Sequence, residues 1–407
     1  MIHPDTGILF YSVGAMKPPR TQSGRRQVTM ERRILAQGTI GFALAFAVWG
    51  LLAGLAPLFK QQYGLTQTQV SIMVAIPVLL GSLGRVPAGL LADRYGPKRV
   101  FAILLLGASV PALLLSVFHD YRSLLTWGVL LGLGGTTFAV GVAYTAPWFP
   151  KERQGTALGI FGIGTGGQSL AVFGGPLLAR AFGMSAPFVL FGCLALIWGL
   201  VLLAVGQDPE QRRPATSVRV ALQPLQEPRC WLFSLFYFVT FGGFVALGIY
   251  MPSLLKELFQ LDPADAGLRA AGFIVVSTTA RAVGGGLSDR FGGARVLAWA
   301  FAAMGVLAFG LTFRAMAPFT VAALGVAVCL GLGNGAVFKL VPQYFPNQVG
   351  TVTGLVGAAG GLGGFFPPLA LGLMKDHLGS FAPGFVLLGC FALMCLALLR
   401  SLRVGQQ

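Results

Sequence analysis

The segment RVPAGLLADRYGPKR (Arg85–Arg99) returns 196 residues later as RAVGGGLSDRFGGAR (Arg281–Arg295), and in both copies the leading Arg is followed by Gly at the fourth position and Asp at the eighth. A second pair keeps the register: the Phe-Pro of APWFPKERQGTALGIFG at Phe149 and that of VPQYFPNQVGTVTGLVG at Phe345 are again 196 residues apart. Self-similarity at one fixed spacing marks a unit used twice. Between the copies runs the one long polar stretch of the interior, QDPEQRRPATSVRVALQPLQEP over 207–228.

Composition says what the unit is made of. The 407 residues are 55% hydrophobic and 10% charged, and mean hydropathy is +0.76, which leaves too little polar surface to coat a soluble globule. A window near twenty residues, enough to cross a bilayer core of about 30 Å, resolves twelve apolar segments. They lie near 36–58, 70–92, 100–118, 124–147, 154–176, 186–206, 230–252, 266–288, 295–313, 318–340, 350–373 and 382–400. The expected fold is an all-α polytopic membrane protein with twelve transmembrane helices in two six-helix, pseudo-symmetric halves, 36–206 and 229–400. Residues 1–35, polar and Arg-rich without the apolar core of a signal peptide, read as a disordered cytoplasmic tail with Met16 or Met30 as alternative starts, and 401–407 as a cytoplasmic C-terminus.

A net charge of +16 would point to nucleic acid in a soluble protein, so the placement of the positive residues decides. An even number of helices puts both termini on one side. That side carries 19 of the 29 Lys and Arg, among them Lys17, Arg20, Arg94, Arg99, Arg212, Arg213, Arg219 and Arg290, and the other side carries 7. The excess makes the first side cytoplasmic, in the inner membrane. The basicity is topological: lipid is the bulk partner and no nucleic acid is expected. Cys193, Cys230, Cys329, Cys390 and Cys395 have no metal-type spacing and read as apolar filler, so neither metal nor cofactor is expected. No paired carboxylates, activated nucleophile or phosphate loop is present, which speaks against an enzyme.

All 13 carboxylates fall in the tail, in loops or at segment ends, and His3, His119 and His377 do likewise. What remains inside the segments is positive: Arg85 in the second, Arg281 in the eighth and Lys339 near the cytoplasmic end of the tenth. An unpaired guanidinium at bilayer depth costs at least about 2.5–3.5 kcal/mol, so each needs a partner. Snorkelling or bonds to helix carbonyls would serve for one arginine alone. Two at matching places, with no intramembrane carboxylate to neutralise them, point to an anion from outside the chain, and the guanidinium fork suits a flat oxyanion. The fifth and eleventh segments, GTALGIFGIGTGGQSLAVFGGP from Gly155 and GTVTGLVGAAGGLGGFFPPLALG from Gly350, are dense in glycine. That density serves close packing, helix unwinding or backbone approach to a ligand.

GLLADRYGPKR (Gly89–Arg99) resembles the signature loop between the second and third helices of the major facilitator superfamily, with GGLSDRFGGAR as its decayed copy. The resemblance implies a charge relay at a cytoplasmic gate for Asp93, Arg94, Arg99, Asp289 and Arg290; solvated positive-inside loops are the plainer reading. Most of the chain further resembles the nitrate/nitrite porter branch. Arg85 in IPVLLGSLGRVP and Arg281 in STTARAVGG stand where its anion-binding arginines belong, and the glycine-rich segments match its signature. The branch also holds nitrate between two aromatic rings, for which Phe138 and Phe241 in YFVTFGGF match, with Phe244 as an alternative and Tyr237 as a hydroxyl donor. Gly164, Thr165 and Gly360 fall in the signatures; Thr165 stands where the branch often has Asn, so one amide donor is missing.

The resemblance implies a secondary transporter of nitrate and nitrite working by alternating access as a monomer. With no intramembrane carboxylate or His, exchange of the two anions is favoured over proton-coupled symport, although water or the anion could carry a proton. A transporter of another small anion, such as a monocarboxylate or oxalate, and a non-transporting sensor remain as alternatives.

Overall fold

The computed structural model describes residues 22–209, 222–345 and 349–404. Most of the expected tail and linker, with Lys17, Arg20, Arg212, Arg213 and Arg219, lies outside the described residues. Among the described residues there are sixteen α-helices and no strand. The first half contains α1 (Gln22–Tyr63), α2 (Gln67–Leu83), α3 (Arg85–Tyr95), α4 (Pro97–Leu115), α5 (Tyr121–Leu131), α6 (Leu133–Thr145), α7 (Lys151–Gly162), α8 (Gly167–Phe182) and α9 (Ala186–Val205). The second contains α10 (Pro228–Phe259), α11 (Pro263–Phe291), α12 (Gly293–Gly310), α13 (Met316–Tyr344), α14 (Val349–Leu362), α15 (Phe366–Leu378) and α16 (Ala382–Val404). Among the described residues eleven helices are long and apolar enough to cross a membrane, and α2 with α3, bent by 41° across Gly84, makes a twelfth span when the bent pair is taken as one. The twelve-span expectation holds.

One boundary moves. Hydropathy ended the tail at residue 35, whereas α1 already begins at Gln22. Arg, Gln, Met and Glu are good helix formers, so a helix nucleated in the apolar part propagates through a segment too polar for a hydropathy window to register.

The two signature loops are built by one device. Gly96 (φ 94°) and Gly292 (φ 87°), again 196 residues apart, end α3 and α11 and start α4 and α12. A left-handed φ at each lets a helix reverse within one residue, which a side chain would oppose. Large apolar residues such as Ile103, Val110, Leu200, Val306 and Phe391 face outward, as a lipid solvent requires.

The halves meet most closely where α8 packs on α11 and α15 packs on α2. At the end of the bundle away from the signature loops, polar contacts bind half to half. Lys60 Nζ donates to Glu257 Oε2 at 2.6 Å, and Lys375 reaches the other oxygen of the same carboxylate at 3.4 Å. Asp376 accepts from the backbone N–H of Gln67 (3.1 Å) and Thr68 (2.8 Å), placing a carboxylate at the N-terminus of α2. Glu257→Gln, which removes the charge shared by two lysines, is expected to loosen this end. In a cysteine-free background, a cysteine at Thr68 should be alkylated a few-fold faster, in keeping with about 0.2–1 kcal/mol for a half-exposed ion pair. An unchanged rate would deny the contact a part in closure.

Candidate functional site

Arg85 opens α3 directly after the bend at Gly84, and Arg281 lies within the unbroken α11. The repeat puts them at matching positions, but their surroundings differ. Arg85 is 3% exposed. Its Nη1 donates to the Gly357 carbonyl at 2.6 Å, across the interface on α14, and its Nε to the Gly135 carbonyl at 3.3 Å. Helix carbonyls, the plainer partner for a lone arginine, therefore take two of its five N–H donors. Arg281 is half-buried. Among the described residues no carboxylate pairs with either.

Both guanidinia flank one ring: the Phe138 centroid lies 5.5 Å from the Arg85 guanidinium carbon and 5.9 Å from that of Arg281. Phe241 covers Arg85 at 5.2 Å and Phe338 covers Arg281 at 5.7 Å. Tyr237 stacks parallel on Phe241 (5.0 Å, 4°) and against Phe338 (4.7 Å), with its hydroxyl facing Arg281. The rings attract the cations and exclude water, yet their faces carry no charge to neutralise them. Like charges on one ring in this way repel by at least about 1.5 kcal/mol at an effective dielectric near 20. A small flat anion would relieve both the desolvation and the repulsion. Tyr237→Phe keeps the stack and removes the hydroxyl; it is expected to weaken nitrate binding about 3–10-fold by titration of purified protein, as suits one lost hydrogen bond.

The structure thus gathers Arg85, Arg281, Phe138, Phe241 and Tyr237 at one place and leaves Phe244 behind Phe241, 5.9 Å away ring to ring. It adds Phe338 and the carbonyls of Gly135 and Gly357, which sequence reasoning missed. One Phe among 32 has no local signal, and a carbonyl never has one. Gly164 and Gly360 face rings: a Cβ would sit 2.7 Å from Phe42 Cδ1 and 2.1 Å from Tyr237 Cδ1, respectively. Each glycine makes room for an aromatic ring. Thr165 lies in a short 3₁₀ stretch, Ile163–Gly166, its hydroxyl donating to Gly162 O at 2.9 Å and 3.4 Å from the Thr278 hydroxyl.

At the signature loops, Asp289 pairs with Lys339, so Lys339 is a half-exposed partner of a loop carboxylate and not a buried lone charge. Arg94 and Arg290 lie over the rings of Tyr95 and Phe291, at 5.3 and 5.2 Å. Asp93 closes α3, and Arg99, in the first turn of α4, is exposed. Asp208 is an addition: it accepts from the Lys98 N–H at 2.8 Å and covers Gly96, so a residue just beyond α9 caps α4. A surface cavity of about 700 Å³, lined by Arg229, Arg295 and Tyr344 among others, shares no residue with the arginine site.

Comparison with known proteins agrees with this architecture. The family description Major Facilitator Superfamily matches residues 38–368 and 233–406. The nitrite extrusion protein of Bacillus subtilis is 38% identical over 361 residues, covering 88% of this chain and 91% of that one. A probable nitrate/nitrite antiporter of Thermus thermophilus is 38% identical over 376 residues (83% and 84%). A probable nitrate transporter of Staphylococcus epidermidis is 34% identical over 360 residues (88% and 93%). Among solved structures, a bacterial homologue of the human lysosomal transporter Spinster, inward-facing and occupied, has a similar fold. Its TM-score is 0.68 at 17% identity, covering 90% of this chain and 96% of that one. Sequence, fold and relatives agree that the chain belongs to the major facilitator superfamily, and within it to the nitrate/nitrite porter family.

Proposed function

We propose that this protein carries nitrate and nitrite across the cytoplasmic membrane in exchange for one another, as a single chain whose halves, 36–206 and 229–400, rock about an anion held by Arg85 and Arg281. One observation carries the reading: two guanidinia flank one ring, with no carboxylate paired to either among the described residues. The names of the relatives support nitrate and nitrite as the anion. With the site empty, the two charges oppose the approach of the halves; with an anion between them they do not, so the return swing is favoured only when loaded. The excess of positive loops supports an orientation with both termini in the cytoplasm and the Lys60–Glu257 end outside. Asp93, Arg94, Arg99, Asp289 and Arg290 then stand at the inner gate.

Proteoliposomes loaded with nitrite test this. Nitrate uptake should require internal nitrite, should be insensitive to a pH gradient, and should be inhibited by external nitrite and not by formate or oxalate. Uptake driven by a proton gradient without internal anion would replace exchange with symport, and inhibition by oxalate would replace the substrate class.

A further inference from the structure

Gln168, in the first turn of α8, is fully buried, and among the described residues neither Oε1 nor Nε2 has a hydrogen-bond partner. Space has been made for it. A Cβ on Gly50 of α1 would lie 2.9 Å from its Cγ, and a Cβ on Gly248 of α10 would lie 3.5 Å from Nε2 and 3.3 Å from Ile274 Cγ1. Gly50 thus gives up a side chain to admit the Gln168 stem, and Gly248 of the opposite half closes over a carboxamide that finds nothing to bond among the described residues. A buried amide with neither oxygen nor nitrogen satisfied is a cost that the exchange of Gln for Leu would remove. The internal repeat places Gly364 at the equivalent position of the other half, so the feature belongs to one side of one half.

Its level in the bundle follows from helix geometry. Gly248 is seven residues beyond Phe241 on α10, and Ile274 seven residues before Arg281 on α11. At 1.5 Å per residue both put Gln168 about 10 Å from the arginine pair, towards the Lys60–Glu257 contact. Ser277, which lies between Ile274 and Arg281 on α11, is buried with a hydroxyl that likewise has no partner among the described residues.

We infer that the Gln168 carboxamide is a second anion contact on the path between the arginine pair and the Lys60–Glu257 end, donating N–H to a nitrate or nitrite oxygen when the halves part there. The inference rests on the function proposed above. In the present arrangement α10 and α11 seal the amide; their separation from α1 and α8 uncovers it. The contact is one-sided: it serves anions arriving from or leaving to the Lys60–Glu257 end and does nothing at the other.

Right-side-out and inside-out vesicles from the same cells, assayed for nitrate uptake against internal nitrite, read this asymmetry. Gln168→Leu should raise KM about 10-fold in one vesicle orientation and less than about 2-fold in the other, the size of one lost hydrogen bond to an anion. Gln168→Asn, a shorter amide, should recover part of the loss. Nitrate binding to the purified protein in the arrangement described, where the arginines are intact, should stay within about 2-fold. Equal changes from both faces would reduce Gln168 to a packing role. No change from either would make its partner a water molecule only. Either result overturns the inference while leaving nitrate–nitrite exchange standing; wild-type vesicles that exchange from neither face would sink both.

Discussion

Arg85→Lys is expected to lower nitrate–nitrite exchange by about 100-fold or more in correctly inserted protein, equivalent to about 2.7 kcal/mol. The charge is kept, so the loss comes from geometry. Arg85 spends Nη1 on Gly357 and Nε on Gly135, which aligns the plane of the guanidinium between Phe138 and Phe241 and leaves its remaining N–H groups for an anion. A lysine ammonium has three donors on one atom. If it bonds either carbonyl it turns from the anion, and if it faces the anion it abandons a carbonyl buried between the halves. Either outcome forfeits charge-assisted hydrogen bonds worth about 1.5–3 kcal/mol each. Arg281→Lys should cost less, about 10-fold, because Arg281 is half-buried and an ammonium over the same ring faces keeps part of the cation–π attraction. Exchange rates in proteoliposomes, normalised to inserted protein, decide the matter. An Arg85→Lys carrier working within about 3-fold of wild type would mean that charge alone holds the anion.

Gly360→Ala is expected to lower both stability and affinity, although alanine is the better helix former. A Cβ there would stand 2.1 Å from Tyr237 Cδ1 and 2.7 Å from Cε1. The ring cannot step aside, since Phe241 lies parallel to it at 5.0 Å and Phe338 crowds it at 4.7 Å. Overpacking of this kind costs about 1–3 kcal/mol. Displacing Tyr237 also moves the hydroxyl that faces Arg281 and the ring that covers Arg85, so nitrate affinity should fall at least about 10-fold. Gly159→Ala is the control: nothing lies within 4 Å of the added methyl on α7, and helix propensity should make it neutral or stabilising by up to about 1 kcal/mol. Thermal unfolding and nitrate titration of both variants compare the two. A Gly360→Ala protein with wild-type Tm and affinity would show that the ring stack is not tightly held.

The two residues at 360 and 159 look alike in the sequence, and this marks a general limit. Glycine density in the fifth and eleventh segments was legible, together with the three things it could serve. Which glycine does which depends on the neighbouring helix. Gly360 seats Tyr237, Gly357 offers a carbonyl to Arg85, and the 3₁₀ stretch at Ile163–Gly166 and the break between α14 and α15 are the unwound places. Thr165 likewise looked like a weakened substrate donor, and the fold shows its proton already given to Gly162 O.

By itself the sequence determined the two-fold repeat, twelve spans, the pairing of Arg85 with Arg281 and the lack of an intramembrane carboxylate. Each of these is fixed by order and count along the chain, because bilayer thickness turns length into topology and burial turns an unmatched charge into a demand for a partner. Only the tertiary structure decided how the two arginines differ. The repeat predicts equal roles, but Arg85 is held by carbonyls from both halves and Arg281 by aromatic rings and the Tyr237 hydroxyl. Contacts across the interface join residues 272 positions apart in the chain, and no local pattern encodes a partner at that distance. The physical reason is that a carbonyl's or a ring's availability is set by what packs beside it, so the same Arg in the same motif acquires its donors' directions only when the halves close around it.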